Sequence, residues 1–384
     1  MRYLIKAKEI YLADRVLHNT GVLVDRGTIV KVGTDREGGA EVIRLNNCKL
    51  IPGLIEMHIH GTNGLDVMDA SYESLNGMSK HLIHQGVTSF LPTTVTSGFE
   101  KLERSLENVC RCMETGLEGA RVIGSYVEGP YISKEYKGAH PETLIRDISI
   151  DEIRKLISIS NKTIRIMTIA PEQAGSSDAI RYLKQQGVIT SLGHSGATYK
   201  ETLEAIDSGA SVATHIFNGM RPLNHRETGI LGAVLADERV MAEIICDRIH
   251  VDIPAIIIAL KCKREELILI SDSIMARGLP DGEYSLGNQK VYVNEGIAKT
   301  KEGSLAGSTL SLLNAIRTIV EKCGVSLNSA INFASLNPSR ALGLNQKYGS
   351  IYKGKSADLV GIDEEYEPVF VMAGGQIRLL KYAQ

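Results

Sequence analysis

Residues 54–61 read LIEMHIHG, and this stretch decides the fold because a run of apolar residues ends there in two histidines. Side chains two positions apart on an extended strand point to the same face, so His58 and His60 are presented side by side. Two neutral imidazoles with a common direction suit a divalent transition metal. Two half-buried histidines at the mouth of a loop are the alternative that this stretch alone leaves open.

Length and composition are those of an ordinary globular protein. The chain has 384 residues, of which 43% are hydrophobic and 23% are charged, and its formal net charge is −2. That charge gives no electrostatic reason to expect nucleic acid or a membrane as a partner. No apolar run approaches the roughly 18 residues that span a bilayer, and the alternating, charged N-terminus is unlike a signal peptide. Six cysteines without zinc-type CxxC pairs indicate reduced thiols in a cytoplasmic protein.

Strand and helix patterns alternate from about residue 53 to about residue 350. Eight such repeats predict an α/β protein with a (β/α)8 TIM-like barrel of the metal-dependent hydrolase type. An open doubly wound sheet is the alternative, although no glycine-rich dinucleotide loop follows the first strand. The predicted strands are 54–60, 88–95, 122–128, 163–170, 189–194, 211–217, 241–246 and 267–271. Helices are predicted at 72–85, 99–114, 151–158, 178–186 and 199–208, several of them ending at a glycine.

The two ends of the chain are predicted to form a second, smaller domain. Neither end alone has enough strands to bury a core, so we expect residues 1–52 and 351–384 to form a β-sandwich together. The barrel of residues 53–350 is then inserted between them, with a β-hairpin excursion at about 275–303. Short strands are predicted at 3–7, 21–25, 28–33, 41–45, 357–362, 368–373 and 376–380.

Side chains that can bind metal recur where the predicted barrel strands end. Active sites of (β/α)8 barrels form at the carboxyl ends of the strands, so these residues are expected to meet at one rim. Each residue taken alone could instead be an ordinary turn or loop residue. The set comprises His58 and His60 after strand one, Glu128 after strand three, His194 after strand five, His215 after strand six, Asp247 and His250 after strand seven, and Asp272 after strand eight.

Five of these residues predict a metal centre. Glu128, His194 and His215 form a site of two histidines and one carboxylate with room for water. His58 and His60 could hold a second metal, with Glu128 bridging the two. A bound divalent ion brings the pKa of water toward about 7 and so provides a nucleophile. We expect one or two ions per subunit, and zinc, iron and manganese all accept such ligands.

Two further residues are candidates for the catalytic steps. Asp272 suits a general base that takes the proton of the metal-activated water and later gives it to the leaving group. A plain metal ligand is its alternative role, and the two roles are compatible. His140, in the loop after strand three, could polarise a carbonyl oxygen and hold the oxyanion of a tetrahedral intermediate. An exposed loop histidine is its alternative.

Eight motifs give the chain a resemblance to a known family. They are PGLIEMHIHG, GSYVEGPYIS, KGAHP, SLGHS, THIFNGM, GLPDGEY, GSLAGS and GKSADLV, and they cover nearly the whole chain in order. Through them the sequence resembles the N-acetylglucosamine-6-phosphate deacetylases of the amidohydrolase superfamily. The resemblance implies a metal-dependent conversion of N-acetyl-D-glucosamine 6-phosphate to D-glucosamine 6-phosphate and acetate. It also implies a role in amino-sugar catabolism and in the recycling of cell-wall sugars.

The resemblance assigns roles to individual residues. It implies Glu128, His194 and His215 as metal ligands, with a second metal allowed by the HxH pair, and Asp272 as the catalytic acid and base. It further implies a homodimer in which Arg226 of one subunit reaches the phosphate in its partner's site. The implied substrate contacts are Ala139, His140, Asn218, Gly219, Arg226, His250, Leu305, Ala306 and Gly307.

The chain departs from the family pattern at three places without losing a ligand or the acid and base. Thr228 stands where proline is usual, and strand eight ends in Ser271-Asp272-Ser273. Arg248 stands where glycine is usual, and we expect this cation close to the sugar. These differences leave the identity of the sugar open more than the type of reaction.

Three other functions compete with this interpretation. Cyclic-amide hydrolases usually bridge two metals with a carboxylated lysine at the end of strand four, but TIRIMTIAP at 163–171 contains no lysine. A non-catalytic sugar-phosphate-binding protein would be expected to lose ligands or the acid and base, and all are present. A deacetylase of another N-acetylhexosamine phosphate, such as N-acetylgalactosamine 6-phosphate, stays open.

Overall fold

The computed structural model describes residues 1–36 and 38–381, so Glu37 and residues 382–384 of the predicted second domain lie outside the described residues. No helix within the described part is long and apolar enough to cross a membrane. The strands are β1 (Arg2–Tyr11), β2 (Val16–Asp25), β3 (Thr28–Val32), β4 (Glu41–Pro52), β5 (Leu54–Ile59), β6 (Gly61–Thr62), β7 (Leu65–Asp66), β8 (Val87–Thr94), β9 (Arg121–Val122), β10 (Ser125–Val127), β11 (Ile164–Ile169), β12 (Ile189–Leu192), β13 (Val212–Ala213), β14 (Met241–Ile245), β15 (Leu267–Ile270), β16 (Gly282–Leu286), β17 (Gln289–Asn294), β18 (Ile297–Lys299), β19 (Leu359–Ile362), β20 (Pro368–Ala373) and β21 (Gln376–Leu380). The α-helices are α1 (Tyr72–Ile83), α2 (Phe99–Thr115), α3 (Ile150–Ile159), α4 (Ser176–Gln185), α5 (Tyr199–Ser208), α6 (Gly229–Ala236), α7 (Ile253–Lys263), α8 (Leu312–Cys323), α9 (Leu327–Phe333) and α10 (Leu336–Ala341).

Eight parallel strands form the barrel, and their order in the sheet follows the chain through β5, β8, β10, β11, β12, β13, β14 and β15. The barrel closes between its first and last strands. The backbone N–H of Asp272 donates to the carbonyl of His58 at 3.0 Å, and that of His60 donates to Ser273 at 2.9 Å. The predicted (β/α)8 fold is confirmed, and three of the four residues in these hydrogen bonds, His58, His60 and Asp272, were predicted for the site.

The barrel strands lie close to their predicted bounds, with two exceptions. The third predicted strand is divided into β9 and β10, which flank Gly124 with a φ of 143°. The sixth prediction, 211–217, was too long, because β13 covers Val212–Ala213. Beyond β13, His215 and Phe217 have φ values of 25° and 77°, which no extended strand adopts. An apolar sequence pattern cannot reveal such a change of backbone direction.

The helices begin and end where their local sequence favours a cap. At the start of α5, the Thr198 hydroxyl accepts from the Glu201 N–H at 3.2 Å, and the Glu201 carboxylate accepts from the Thr198 N–H at 2.8 Å. The helix ends at Gly209, whose φ of 123° is accessible to glycine at little cost. Helices of this kind cover the barrel with their apolar faces and hold the strand ends in place.

Both ends of the chain contribute to a separate seven-stranded sheet. Its order is β21-β20-β19-β4-β1-β2-β3, so the N-terminal and C-terminal strands meet where β4 pairs with β19. This sheet has its own apolar cluster, which includes Ile5, Leu50 and Phe370. One cation connects it with the barrel, because the guanidinium of Arg121 on β9 lies 3.4 Å from the buried carboxylate of Asp358. A separate sheet domain built from both chain ends is therefore confirmed, with its seven strands in one sheet, while the bounds predicted for the β-sandwich stay a prediction.

A third, antiparallel sheet interrupts the chain after the last barrel strand. It consists of β16, β17 and β18, where the sequence predicted a hairpin. The additional strand follows a turn at Glu295 and Gly296, which have φ values of 50° and 71°. Its apolar face packs against Met68 and Val95 near the carboxyl end of the barrel. The excursion therefore forms one wall above the predicted site.

Candidate metal centre and active site

Seven buried polar side chains meet at the carboxyl ends of the barrel strands. They come from both sides of the barrel closure and from the loops that follow β10, β12 and β13. All were predicted from the sequence, and the structure brings all of them together. They are His58, His60, Glu128, His140, His194, His215 and Asp272.

Glu128 lies at the centre of this cluster. Its carboxylate is in contact with every histidine of the group, and both of its oxygens take part. The distances to the Nε2 atoms are 2.9 Å for His215, 3.1 Å for His194, 3.2 Å for His60, 3.4 Å for His140 and 3.6 Å for His58. A carboxylate in this position can bridge two metal ions.

The second nitrogen of three imidazoles is held by an acceptor. His60 Nδ1 lies 3.1 Å from the carbonyl of Thr93, and His194 Nδ1 lies 3.0 Å from the carbonyl of Tyr136. Carbonyl oxygens only accept, so Nδ1 carries the proton and Nε2 presents a lone pair to the centre. His58 Nδ1 is held in the same way by a carboxylate at 3.1 Å. This is the arrangement that imidazole ligands of metals usually show.

The donor atoms form two groups that fit divalent cations. One group is His58, His60 and Asp272, and the other is Glu128, His194 and His215, with the donor atoms of each group within 4.8 Å of one another. Histidine nitrogen and carboxylate oxygen are ligands that zinc, iron and manganese accept. The residues present therefore fit the metal centre that the sequence predicts.

The electrostatics of the cluster also favour a cation. Burial opposes ionisation, yet His58 and the other imidazoles around Glu128 hold the pKa of its carboxyl well below the ordinary value. Burial alone would raise the pKa of Asp272, but hydrogen bonding to His60 outweighs this effect and lowers the pKa to about 2. Burial lowers the pKa of His60, but Asp272 and Glu128 raise it to about 9. Without metal, the ionised carboxylates of Glu128 and Asp272 therefore keep protons on the neighbouring imidazoles. A divalent ion that binds here takes the place of those protons.

His140 differs from the other histidines in its tautomer. Its Nδ1 accepts from the backbone N–H of Thr96 at 3.3 Å and lies 2.7 Å from the Thr96 hydroxyl. Because an N–H only donates, His140 Nδ1 has no proton and Nε2 carries it. Burial and the nearby His194 lower the pKa of His140 to about 4, so the ring is neutral. It is therefore a fixed, uncharged donor that points into the site.

A cavity of about 210 Å³ opens above the cluster. Most of the predicted substrate contacts line it, together with Leu286 and Ser304, which the sequence did not single out. A Cβ added to Gly219 would lie 2.8 Å from His194 Nδ1, so this wall requires glycine. The predicted contacts that line the cavity are Ala139, His140, Asn218, Gly219, His250, Leu305 and Gly307.

Four of the residues singled out in the sequence lie elsewhere, and one of them, Asp247, lines a neighbouring cavity with its Oδ2 2.7 Å from His250 Nδ1. Ala306 is buried in the apolar cluster of the third sheet. Arg226 is exposed, with its guanidinium 2.9 Å from His225 Nε2. Arg248 lines a neighbouring cavity and not the one above the cluster, so its expected position close to the sugar stays a prediction. Its φ of 67° is a value that glycine adopts readily, which accounts for the usual residue there.

Two buried carboxylates of the site were missed. Glu243 on β14 has its Oε2 3.1 Å from His58 Nδ1. Glu56 on β5 accepts from the backbone N–H of His58 at 3.3 Å and from that of Ser271 at 3.2 Å. Each is the one acidic residue in an apolar barrel strand, LIEMHI or MAEII. An isolated charge in such a strand was the signal that could have identified both, since unpaired charges are rarely buried.

Known proteins share this fold and most of this chain. The amidohydrolase family profile matches residues 50–378. The N-acetylgalactosamine-6-phosphate deacetylase of Escherichia coli O157:H7 is 42% identical over 328 residues, which cover 85% of this chain and 87% of that protein. The N-acetylglucosamine-6-phosphate deacetylase of Vibrio furnissii is 39% identical over 364 residues, 93% of this chain and 91% of that protein. The crystal structure of N-acetyl-D-glucosamine-6-phosphate deacetylase from Mycobacterium smegmatis has a TM-score of 0.93 at 32% identity, covering 98% of this chain and 99% of that one.

We predict that the metal affinity of the chelator-stripped protein rises with pH. An imidazole must lose its proton before it binds a metal, and the pKa of His60 is raised to about 9. Between about pH 6 and about pH 9, the affinity should rise about tenfold per pH unit for each displaced proton. Competition with a zinc-binding dye measures this slope, and His60→Gln should reduce it. A wild-type affinity that does not change with pH would contradict the raised pKa.

Proposed function

Because the chain belongs to the amidohydrolase family and, within it, to the N-acetylglucosamine-6-phosphate deacetylases, we propose that its buried His and carboxylate cluster hydrolyses N-acetyl-D-glucosamine 6-phosphate. Water adds across the amide C–N bond, so that its hydroxyl joins the acetyl carbon and a proton joins the nitrogen. The products are D-glucosamine 6-phosphate and acetate. The observation that carries this proposal is the set of seven buried side chains, Glu128 and six others, of which all but His58 line one cavity.

The chain's own residues divide the metal and proton chemistry between them. Glu128, His194 and His215 would hold one divalent ion and His58 and His60 a second, and such ions would supply Lewis acidity and lower the pKa of water. Asp272 is ionised, with a pKa of about 2, and lines the cavity. It accepts the proton of the attacking water. It then gives that proton to the amide nitrogen, because an amide anion is a very poor leaving group.

His140 stabilises the oxygen on which negative charge develops. Its protonated Nε2 faces the centre of the site, 3.4 Å from Glu128 Oε2, and the ring lines the cavity. Thr96 fixes the tautomer through the two contacts to Nδ1. A donor that is held in place before the reaction costs little reorganisation when the oxyanion forms. The neutral ring suits this role because it donates a hydrogen bond without adding a positive charge to that of the metal centre.

A homodimer explains how the phosphate is bound. Among the described residues that line the cavity, none is lysine or arginine. A phosphate monoester carries close to two negative charges at neutral pH and is usually bound by arginine, lysine or a helix N-terminus. Arg226 is exposed on its own subunit, and Leu223, three residues earlier, is 50% exposed. We place this loop against a partner subunit, where Arg226 supplies the missing cation.

The galactosamine isomer is a second candidate substrate. The Escherichia coli relative, which is 42% identical, is named an N-acetylgalactosamine-6-phosphate deacetylase. The two sugars differ in the configuration of one hydroxyl, at C4, and the acetamide that reacts is the same. The same centre can therefore serve either substrate, and the cavity wall decides between them.

We place the enzyme in the cytoplasm. Its substrate and its product are both phosphorylated, and such charged sugars do not diffuse across a bilayer. The enzyme therefore has to share a compartment with its substrate. This location stays a prediction.

We predict that the metal-loaded protein releases acetate from N-acetyl-D-glucosamine 6-phosphate with a kcat/KM at least about tenfold above that for the galactosamine isomer. Steady-state rates on the two sugars measure the ratio. Treatment with a chelator should abolish both activities, and adding metal back should restore them. A ratio in favour of the galactosamine isomer would assign the second function instead. Failure of the loaded protein to act on either sugar would remove the proposal.

We predict that Asp272→Asn lowers kcat by at least about 10²-fold, since asparagine keeps the size of the side chain but cannot carry the proton. Thermal stability and KM should change little. Asp252→Asn is the matched control, because Asp252 is the exposed N-cap of α7 and asparagine is an equally good cap. An Asp272→Asn enzyme whose kcat stays within a few-fold of wild type would exclude this residue as the acid and base.

We predict that Arg226→Ala and Asp272→Asn complement each other in a mixed dimer. In such a dimer one site combines the intact Asp272 of one subunit with the intact Arg226 of the other. Random exchange makes about half of the dimers mixed, and each has one intact site of two, so about a quarter of the wild-type rate should return. Native mass spectrometry reports the exchange. No recovery in a mixture that has exchanged would refute the shared site.

A further inference from the structure

Glu243 is a buried charged side chain that the proposed chemistry does not use. It lies on β14, its side chain is completely buried, and it does not line the substrate cavity. Its Oε2 lies 3.1 Å from His58 Nδ1 and 3.4 Å from the backbone N–H of His215. One oxygen therefore contacts a residue from each of the two metal-binding groups. Its Oε1 has no hydrogen-bond partner in the part of the chain that the structure describes.

The contact with His58 decides which nitrogen of that ring is free. A carboxylate that accepts the Nδ1 proton leaves the lone pair on Nε2. His58 Nε2 lies 3.6 Å from both Glu128 Oε1 and Asp272 Oδ1, so the lone pair points to where a second cation fits. With the other tautomer, the ring would direct an N–H at this position.

Glu243 also gives His58 a stronger acceptor than its neighbours have. The corresponding nitrogens of His60 and His194 lie against neutral carbonyls, those of Thr93 and Tyr136. A carboxylate makes the imidazole a more basic ligand and adds a negative charge close to the cation. The group of His58, His60 and Asp272 is thus the one that Glu243 is placed to strengthen.

We infer that Glu243 is a positioning residue that makes His58 a ligand and so sets the affinity of the second metal ion. This inference rests on the proposed metal centre. It says that the metal affinity of the group of His58, His60 and Asp272 depends on a residue of β14. Loss of such an outer partner typically weakens metal binding by about 10–100-fold. The group of Glu128, His194 and His215 has its own outer contact through Tyr136 and should be affected much less.

Cobalt(II) titration of the chelator-stripped full-length protein tests the inference. Cobalt reports the number of equivalents bound, their affinities and, through its visible absorption, the ligands of each. We expect two equivalents in the wild type. In Glu243→Leu, which removes the acceptor, the second equivalent should bind at least about tenfold more weakly and with an altered spectrum. The first equivalent should stay within about threefold.

Two further variants separate this role from general effects of burial. Glu243→Gln keeps an acceptor without the charge, so it should weaken the second equivalent several-fold, and it carries the test if Glu243→Leu does not fold. Glu56→Gln is the matched control, because Glu56 is equally buried but contacts the backbone of His58 and not its imidazole. It should keep both equivalents and the wild-type spectrum.

Each contrary result has its own meaning. A wild type that binds no cobalt would overturn the proposed metal centre, and one that binds a single equivalent would overturn the second group together with the inference. Two equivalents of unchanged affinity and spectrum in the Glu243 variants would overturn the inference alone. The same loss in Glu56→Gln as in Glu243→Leu would overturn it too, since any buried carboxylate near His58 would then have that effect.

Discussion

The site depends on one buried anion, the carboxylate of Glu128, and on the five imidazoles that lie within 3.6 Å of it. A carboxylate that is removed from water is costly unless positive charge or hydrogen-bond donors surround it. The barrel meets this requirement by directing residues from both sides of its closure and from three loops toward a single point. Protons on the imidazoles, or divalent ions in their place, balance the charge. The need for a cation is therefore a property of the arrangement of side chains.

Holding these side chains together has a conformational cost. His194, His215 and Asp272 have φ values of 48°, 25° and 50°, in a region that non-glycine residues seldom adopt. Each follows the end of a barrel strand, where the left-handed backbone turns the side chain inward. Residues in such conformations persist where the surrounding structure fixes them, and they concentrate at functional sites. For Asp272, the hydrogen bond from its N–H to the carbonyl of His58, which helps to close the barrel, provides part of that restraint.

The sequence predicted the barrel and the cluster because both follow from simple periodicity. Parallel strands place their carboxyl ends at one rim, so His58, Glu128 and Asp272 could be brought together without coordinates. The course of the chain beyond β13 could not be read, because an apolar run does not record left-handed backbone. Glu243 was missed for a related reason, since a strand pattern gives the face of a side chain but not its partner across the barrel. Arg226 is exposed and does not line the cavity, so its predicted contact with the phosphate depends on the proposed second copy of the chain.

Four buried carboxylates meet in this barrel, and their surroundings separate their roles. Glu56 accepts two backbone N–H groups, and Glu243 holds His58, and neither lines the cavity. Glu128 lines it, but both of its oxygens are in contact with imidazoles. Asp272 also lines the cavity, and its contacts with His60 Nε2 at 3.2 Å and with His58 Nε2 at 3.6 Å are both made by Oδ1. A proton that moves from water to a leaving group needs a carboxylate that is ionised, accessible and free to accept it. Of the four, Asp272 best combines these properties, which is an argument for its role that is independent of any relative.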